Sequence, residues 1–189
     1  FDTTYATPDE AGAFGLSERF FTTEDGARLV VWHAEATAGY PTILYFQGNA
    51  GTLQDRATRL TAFADLGFGI VAPAYRGQLA GQGVGQALVL EAPFTSLGAL
   101  VAAQYPMEDL DDTITQRGDS LKAVHAVTQP MMVIHGENDN LVPFTMGQAI
   151  FEAAGSTDKS FLRVVDGGHT ELWTAEVQMA LFDFLTRTG

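Results

Sequence analysis

Val133-Ile134-His135-Gly136-Glu137-Asn138-Asp139-Asn140-Leu141-Val142-Pro143 is where an apolar run of this chain breaks into a polar turn. Met131 to Ile134 reads as a short buried strand, and Thr145 to Ala154 as the helix that follows. Between them a His-Gly pair and four polar residues carry the chain across the strand end. A strand, a polar turn and a helix make the repeating unit of an α/β fold. Taken alone, Asp139 is a loop aspartate able to cap a helix starting near Pro143.

The same alternation extends in both directions. Downstream, Phe161 to Val165 reads as a strand. Val165-Asp166-Gly167-Gly168-His169 leaves its end, and Ala175 to Thr186 closes the chain as a helix. Upstream, Arg19 to Thr23 and Leu29 to Ala34 read as strands joined through Glu24-Asp25-Gly26. Thr42 to Phe46, Phe68 to Ala72 and Ala87 to Leu90 are further strands. Leu53 to Leu66 has helical apolar spacing, and Leu97 to Gln104 and Asp119 to Val127 read as helices. Residues 106 to 118 are polar and irregular. The pattern predicts one α/β domain over residues 1–189, with a mostly parallel central sheet and helices on both faces. In such a sheet, ligands bind beyond the carboxyl ends of the strands. Gln47 to Ala50, Ser96, Asp139 and His169 all follow such ends and are expected on one rim.

Composition bounds the rest. The 189 residues carry a formal net charge of −13, which disfavours phosphate backbones, so nucleic acid is not an expected partner. There is no cysteine, which removes disulfides, thiolate metal sites and a cysteine nucleophile. The four histidines are dispersed without metal-ligand spacing, so no zinc site is expected. His33, His125 and His135 read as structural residues. The run Glu108-Asp109-Leu110-Asp111-Asp112 lacks the spacing of a calcium loop and reads as a solvated segment. No stretch approaches 18 apolar residues, and no signal peptide is visible. The chain begins at Phe1, and a trimmed signal or anchor is the expectation there.

Phe46-Gln47-Gly48-Asn49-Ala50-Gly51, Tyr75-Arg76-Gly77, Leu90-Glu91-Ala92-Pro93-Phe94-Thr95-Ser96 and His135-Gly136-Glu137-Asn138-Asp139 occur in that order. Together they resemble the α/β-hydrolase superfamily, in its branch of compact serine hydrolases with a small cap, often anchored at the N-terminus. The resemblance covers nearly the whole chain from about Phe20. It implies that Asp139 is the acid and His169 the base of a Ser-His-Asp triad, in the acid-then-base order of the family. It implies an oxyanion loop at Gly48, Asn49 and Ala50, with Asn49 the foremost donor. The expected reaction is hydrolysis of a small carboxylic ester or thioester through an acyl-enzyme, without cofactor or metal. Residues 105–118 would form the small cap. Gln47 stands where the branch usually has histidine.

The nucleophile is the exception. The chain contains no G-x-S-x-G turn. Ser96 lies on the expected rim but reads as the cap of the helix at Leu97. Ser17, Ser120, Ser156 and Ser160 have no stronger claim. Relatives place a helix, a strand, the serine turn and another helix between Tyr-Arg-Gly and the Leu-Glu-Ala-Pro-Phe strand, roughly fifty residues in all. Here only residues 78 to 86 intervene. The strand so lost belongs in the middle of the sheet, and its loss would leave its neighbours about 9.6 Å apart at a spacing of about 4.8 Å per strand. Each backbone group so orphaned in the interior costs about 1–3 kcal/mol. Two outcomes follow. Either the flanking strands pair directly over a true deletion, or the sequence omits residues of the protein. In the second case a serine between Gln78 and Leu79 would complete Gly-Gln-Ser-Leu-Ala, with Leu79 giving the second oxyanion N–H. In the first, the chain is a catalytically inactive hydrolase-fold binding protein.

Overall fold

The computed structural model describes residues 6–22, 26, 28–47, 52–74, 86–104 and 119–188. They belong to two compact units, Phe1–Gln82 and Gly83–Gly189.

The first unit holds a mixed sheet. Strands β1 (Ser17–Thr22), β2 (Arg28–Ala34), β3 (Thr42–Leu44) and β4 (Gly69–Pro73) run in the order β1-β2-β4-β3. The β1/β2 and β2/β4 pairings are antiparallel, and β3 pairs parallel with β4. A short 3-10 turn at Gln54–Arg56 leads into helix α1 (Ala57–Asp65), which packs on β4. The apolar spacing of α1 puts Leu60 and Phe63 in the core with Trp32, Phe68 and Ile70. Phe68 meets Phe63 and Tyr40 edge-on, with ring centroids 6.2 and 5.4 Å apart.

The second unit is a parallel sheet of β5 (Leu88–Glu91), β6 (Met131–Gly136) and β7 (Lys159–Val164), in that order. Helices α2 (Leu97–Gln104), α3 (Ser120–Val124), α4 (Phe144–Ala153) and α5 (Ala175–Thr188) connect and close it. Every residue of β6 is buried, as expected of a central parallel strand with a near-continuous apolar run. Val124, Met131, Val133, Ile150 and Ala154 form the core beneath it, with Leu88 and Leu90 packed against them. Asp119 caps α3 through a 2.9 Å bond accepted from the Lys122 N–H.

The expected elements are therefore present, most within two residues of their expected bounds. The wider differences lie at element ends, where the Leu53 to Leu66 and Asp119 to Val127 readings shorten to α1 and α3. The strands do not form one ladder: β3 has β4 as its partner and β5 has β6. The Glu24-Asp25 turn, Tyr75-Arg76-Gly77, the acidic run at 108–112 and the cap at 105–118 lie outside the described residues. No described helix is long and apolar enough to cross a membrane.

Candidate active site

The site is built where β6 and β7 end. Beyond β6 the chain turns at once: the Glu137 N–H donates to the Val164 carbonyl at 3.1 Å, and the Asn138 N–H to the Gly167 carbonyl at 2.9 Å. These bonds lash the loop after β6 to the loop after β7. Gly136 and the carbonyl oxygens of Gly167 and Gly168 approach so closely that a β-carbon would have no room. The second loop is bent by Asp166, whose backbone is left-handed at φ 58°, a conformation that Asp and Asn adopt more readily than most residues.

This arrangement brings Asp139 to His169. The Asp139 side chain is fully buried, and its Oδ2 accepts from His169 Nδ1 at 2.8 Å. Its Oδ1 accepts from the N–H groups of Leu141 at 2.8 Å and Val142 at 2.7 Å. One oxygen thus holds the loop and the other holds the imidazole. The helix-cap reading of Asp139 does not describe this geometry. The bonds close a turn ahead of Pro143, which occupies the N-cap of α4 with no side-chain cap. With Nδ1 donating to the carboxylate, the neutral imidazole of His169 carries its lone pair on Nε2. The His169 side chain is 33% exposed, so solvent or a ligand can reach it. Beside it, the Glu171 carboxyl is held below its ordinary range, first by the Thr170 hydroxyl at 2.8 Å and to a lesser degree by His169 itself.

Two residues support this loop, of which Gln104 escaped the sequence reading. His135 is wholly buried, and its Nε2 donates to the Val142 carbonyl at 3.0 Å and lies 3.5 Å from Asp139 Oδ2. Its partners are Asp139 and the loop that Asp139 holds. A polar residue directly after the run Met131-Met132-Val133-Ile134 and still within β6 is the signal. Gln104, at the end of the otherwise apolar α2, donates through Nε2 to the carbonyls of Asn140 and Leu141, both at 2.8 Å. A lone amide closing an apolar helix is the corresponding hint.

Ser96 is the cap it was read to be, its Oγ accepting from the Ala99 N–H at 3.1 Å. Ser17 bonds the His33 carbonyl, and Ser156 bonds the Asp158 carbonyl. His33 faces Glu35 at 3.7 Å, and His125 is exposed. Gln47 follows β3 in the first unit. Gly48, Asn49, Ala50 and Leu79 lie outside the described residues, as does the Gln78–Leu79 junction.

No protein-family model matches the chain. Two uncharacterised proteins, from two strains of Mycobacterium tuberculosis, are each 29% identical to it over 220 residues, covering 88% of this chain and 78% of the relative. Since 88% of 189 residues is about 166, about 54 of those 220 positions have no counterpart here. Among solved structures, an esterase of Pyrococcus furiosus superposes with a TM-score of 0.73 at 15% identity, covering 99% of this chain and 97% of that one. An esterase of a Rhodococcus species gives 0.66 at 15% identity, covering 91% and 99%. Mouse alpha/beta hydrolase domain-containing protein 10 gives 0.66 at 14%, covering 92% and 100%. The chain has the α/β-hydrolase fold.

Proposed function

We propose that the protein is a serine hydrolase acting on carboxylic esters or thioesters, with Asp139 and His169 as the acid and base of its triad. One observation carries this reading: the 2.8 Å bond from His169 Nδ1 to the buried Asp139 carboxylate. A surface-loop histidine has no need of a desolvated carboxylate, because exposed pairs contribute little. A general base does need one: the carboxylate fixes the tautomer and stabilises the imidazolium formed in the reaction. His169 Nε2 would take the nucleophile's proton and return it to the leaving group. Asn49, Ala50 and the residue following the nucleophile, Leu79 in the Gly-Gln-Ser-Leu-Ala reading, would hold the oxyanion. The serine itself would come from a segment that this sequence lacks.

The test uses protein expressed from its own gene. It should hydrolyse activated esters and take up a fluorophosphonate on one serine. His169→Ala should reduce turnover by about 10³-fold or more while leaving Tm nearly unchanged. Neither turnover nor labelling would sink the enzymatic reading. The chain would then be a hydrolase-fold binding protein, a reading favoured by the absence of any G-x-S-x-G turn from the sequence.

A further inference from the structure

We infer that the site takes uncharged or cationic esters and turns away anionic ones, with Glu171 as the residue that sets this preference. The inference rests on the enzymatic reading proposed above and narrows its substrate class. The substrate is a neutral or cationic carboxylic ester, rather than a thioester whose carrier bears phosphates or free carboxylates.

Charge is distributed one way around the base. The loop after β6, residues 137–143, carries Glu137 and Asp139, and the loop after β7, residues 165–174, carries Asp166 and Glu171. Neither loop contains a lysine or an arginine. The guanidinium on the adjoining strand, Arg163 of β7, is committed to Glu137, with its Nε 3.2 Å from the carboxylate. Asp139 is buried, and its charge is answered by His169 Nδ1–H and by the N–H groups of Leu141 and Val142. Glu171 stands apart from these. It is exposed, and it interacts electrostatically with His169.

The Glu171 carboxylate is also held in place. One oxygen, Oε1, accepts from the Thr170 hydroxyl at 2.8 Å. The other, Oε2, lies over Gly168, in the space that a β-carbon there would need. Gly168 directly precedes His169, so the missing side chain at that position is what admits a carboxylate beside the base. The Thr170 hydroxyl first, and then the Glu171 N–H, hold the carboxyl below its ordinary range. It is therefore ionised at any pH where an imidazole can serve as a base.

A fixed negative charge here acts in two directions. It favours the imidazolium that forms when the base takes a proton, and it opposes negative charge carried in by a substrate. The field of the whole chain, with its formal charge of −13, has the same sign. Uncharged substrates meet a different surface. Leu141 and Val165, on the same two loops, are 48% and 64% exposed and offer apolar contact to an acyl chain or alcohol.

Three p-nitrophenyl esters of equal chain length test this: the hexanoate, the hemi-adipate ending in a carboxylate, and the counterpart ending in trimethylammonium. On protein expressed from its own gene, kcat/KM is measured for each at low salt and divided by the ester's spontaneous hydrolysis rate. The hemi-adipate is expected about tenfold or more below the hexanoate, with the cationic ester level with it or above. In Glu171→Gln the gap between hexanoate and hemi-adipate should narrow about threefold, chiefly through KM, and Glu171→Lys should narrow it further. Added salt should narrow it in the parent as well. A gap left unchanged in Glu171→Gln would assign any discrimination to the field of the whole chain and overturn the inference. Equal rates on hexanoate and hemi-adipate in the parent would overturn it too, and both results leave the enzymatic reading standing. Turnover of none of the three esters would sink that reading, and the inference with it.

Discussion

Gly136 rests directly on the main chain of Gly167, with no space for a side chain between them. This contact, more than any side-chain bond, sets the separation of the two loops carrying Asp139 and His169. Gly136→Ala would place a methyl group against backbone carbonyls that cannot rotate away. We expect a loss of about 1–3 kcal/mol, the usual range for overpacking, read from the urea midpoint. The histidine's contact with the carboxylate should loosen as well, visible as a change in the His169 imidazole resonances. A variant as stable as the parent, with those resonances unmoved, would remove Gly136 from this role.

Asp139 has donors at both oxygens, so no rotamer of an amide can replace it. In Asp139→Asn the NH₂ group must face either His169 Nδ1–H or the N–H groups of Leu141 and Val142. If the enzymatic proposal is right, turnover should fall by about 10⁴-fold, as when a triad histidine is held in the wrong tautomer. Asp139→Ala should destabilise the protein further, since two loop N–H groups lose their acceptor at about 1–3 kcal/mol each if they remain dry. Ester hydrolysis and thermal melts on the two variants separate these effects. Equal activity in all three proteins would contradict the assignment.

Gly147 offers a test in which the sign decides. It is buried in the interior of α4, where Gly→Ala normally stabilises by about 0.5–1 kcal/mol. Here the added β-carbon would collide with Nδ1 of the fully buried His135. Gly147→Ala should therefore destabilise, by about 1–3 kcal/mol, because His135 is also bonded to the Asp139 loop and has no room to retreat. A rise in the denaturation midpoint would show that the histidine can move. The same geometry requires the His135 proton on Nε2, since the Val142 carbonyl can only accept. Long-range proton–nitrogen NMR reads that tautomer.

The Asp158–Arg187 pair gives a pH prediction. Arg187 Nη1 and Nη2 reach the carboxylate at 2.6 and 3.2 Å, tying α5 to the turn before β7. The bond from Arg187 holds the Asp158 carboxyl below its ordinary value of 3.8. A depressed folded-state value means that the pair's stabilisation is complete above the unfolded value and disappears as pH falls through the folded one. Asp158→Asn should lower Tm slightly at pH 7, and its difference from the parent should shrink as pH falls below 3.8 and disappear once it has passed the depressed folded-state value. A difference that persists or widens in acid would assign the effect to something other than this charge. Both groups are exposed, so the effect should also shrink in high salt.

Periodicity made the elements legible, because each strand and helix buries its own apolar positions. Leu60 and Phe63 on α1, and the run Met131 to Ile134 on β6, identify themselves as core without any knowledge of their partners. The polar turn after Ile134 and the Gly-Gly-His after Val165 were legible for the same reason: short interruptions at strand ends stand out against apolar runs. The absence of a serine turn could be read from the sequence too, along with the shortness of the link replacing it.

Tertiary structure alone decided how those pieces meet. That Asp139 Oδ2 reaches His169 across thirty residues depends on two strands in parallel register and on loops brought together at Gly136. Neither distance is encoded locally. The division of labour between the two Asp139 oxygens, the donation from His135 to Val142 and the amide of Gln104 on the Asp139 loop are likewise long-range outcomes of packing. Hydrogen bonding between strands is a property of pairs, so an apolar strand shows in its sequence that it seeks partners, and only the fold names them, β4 for β3 and β6 for β5.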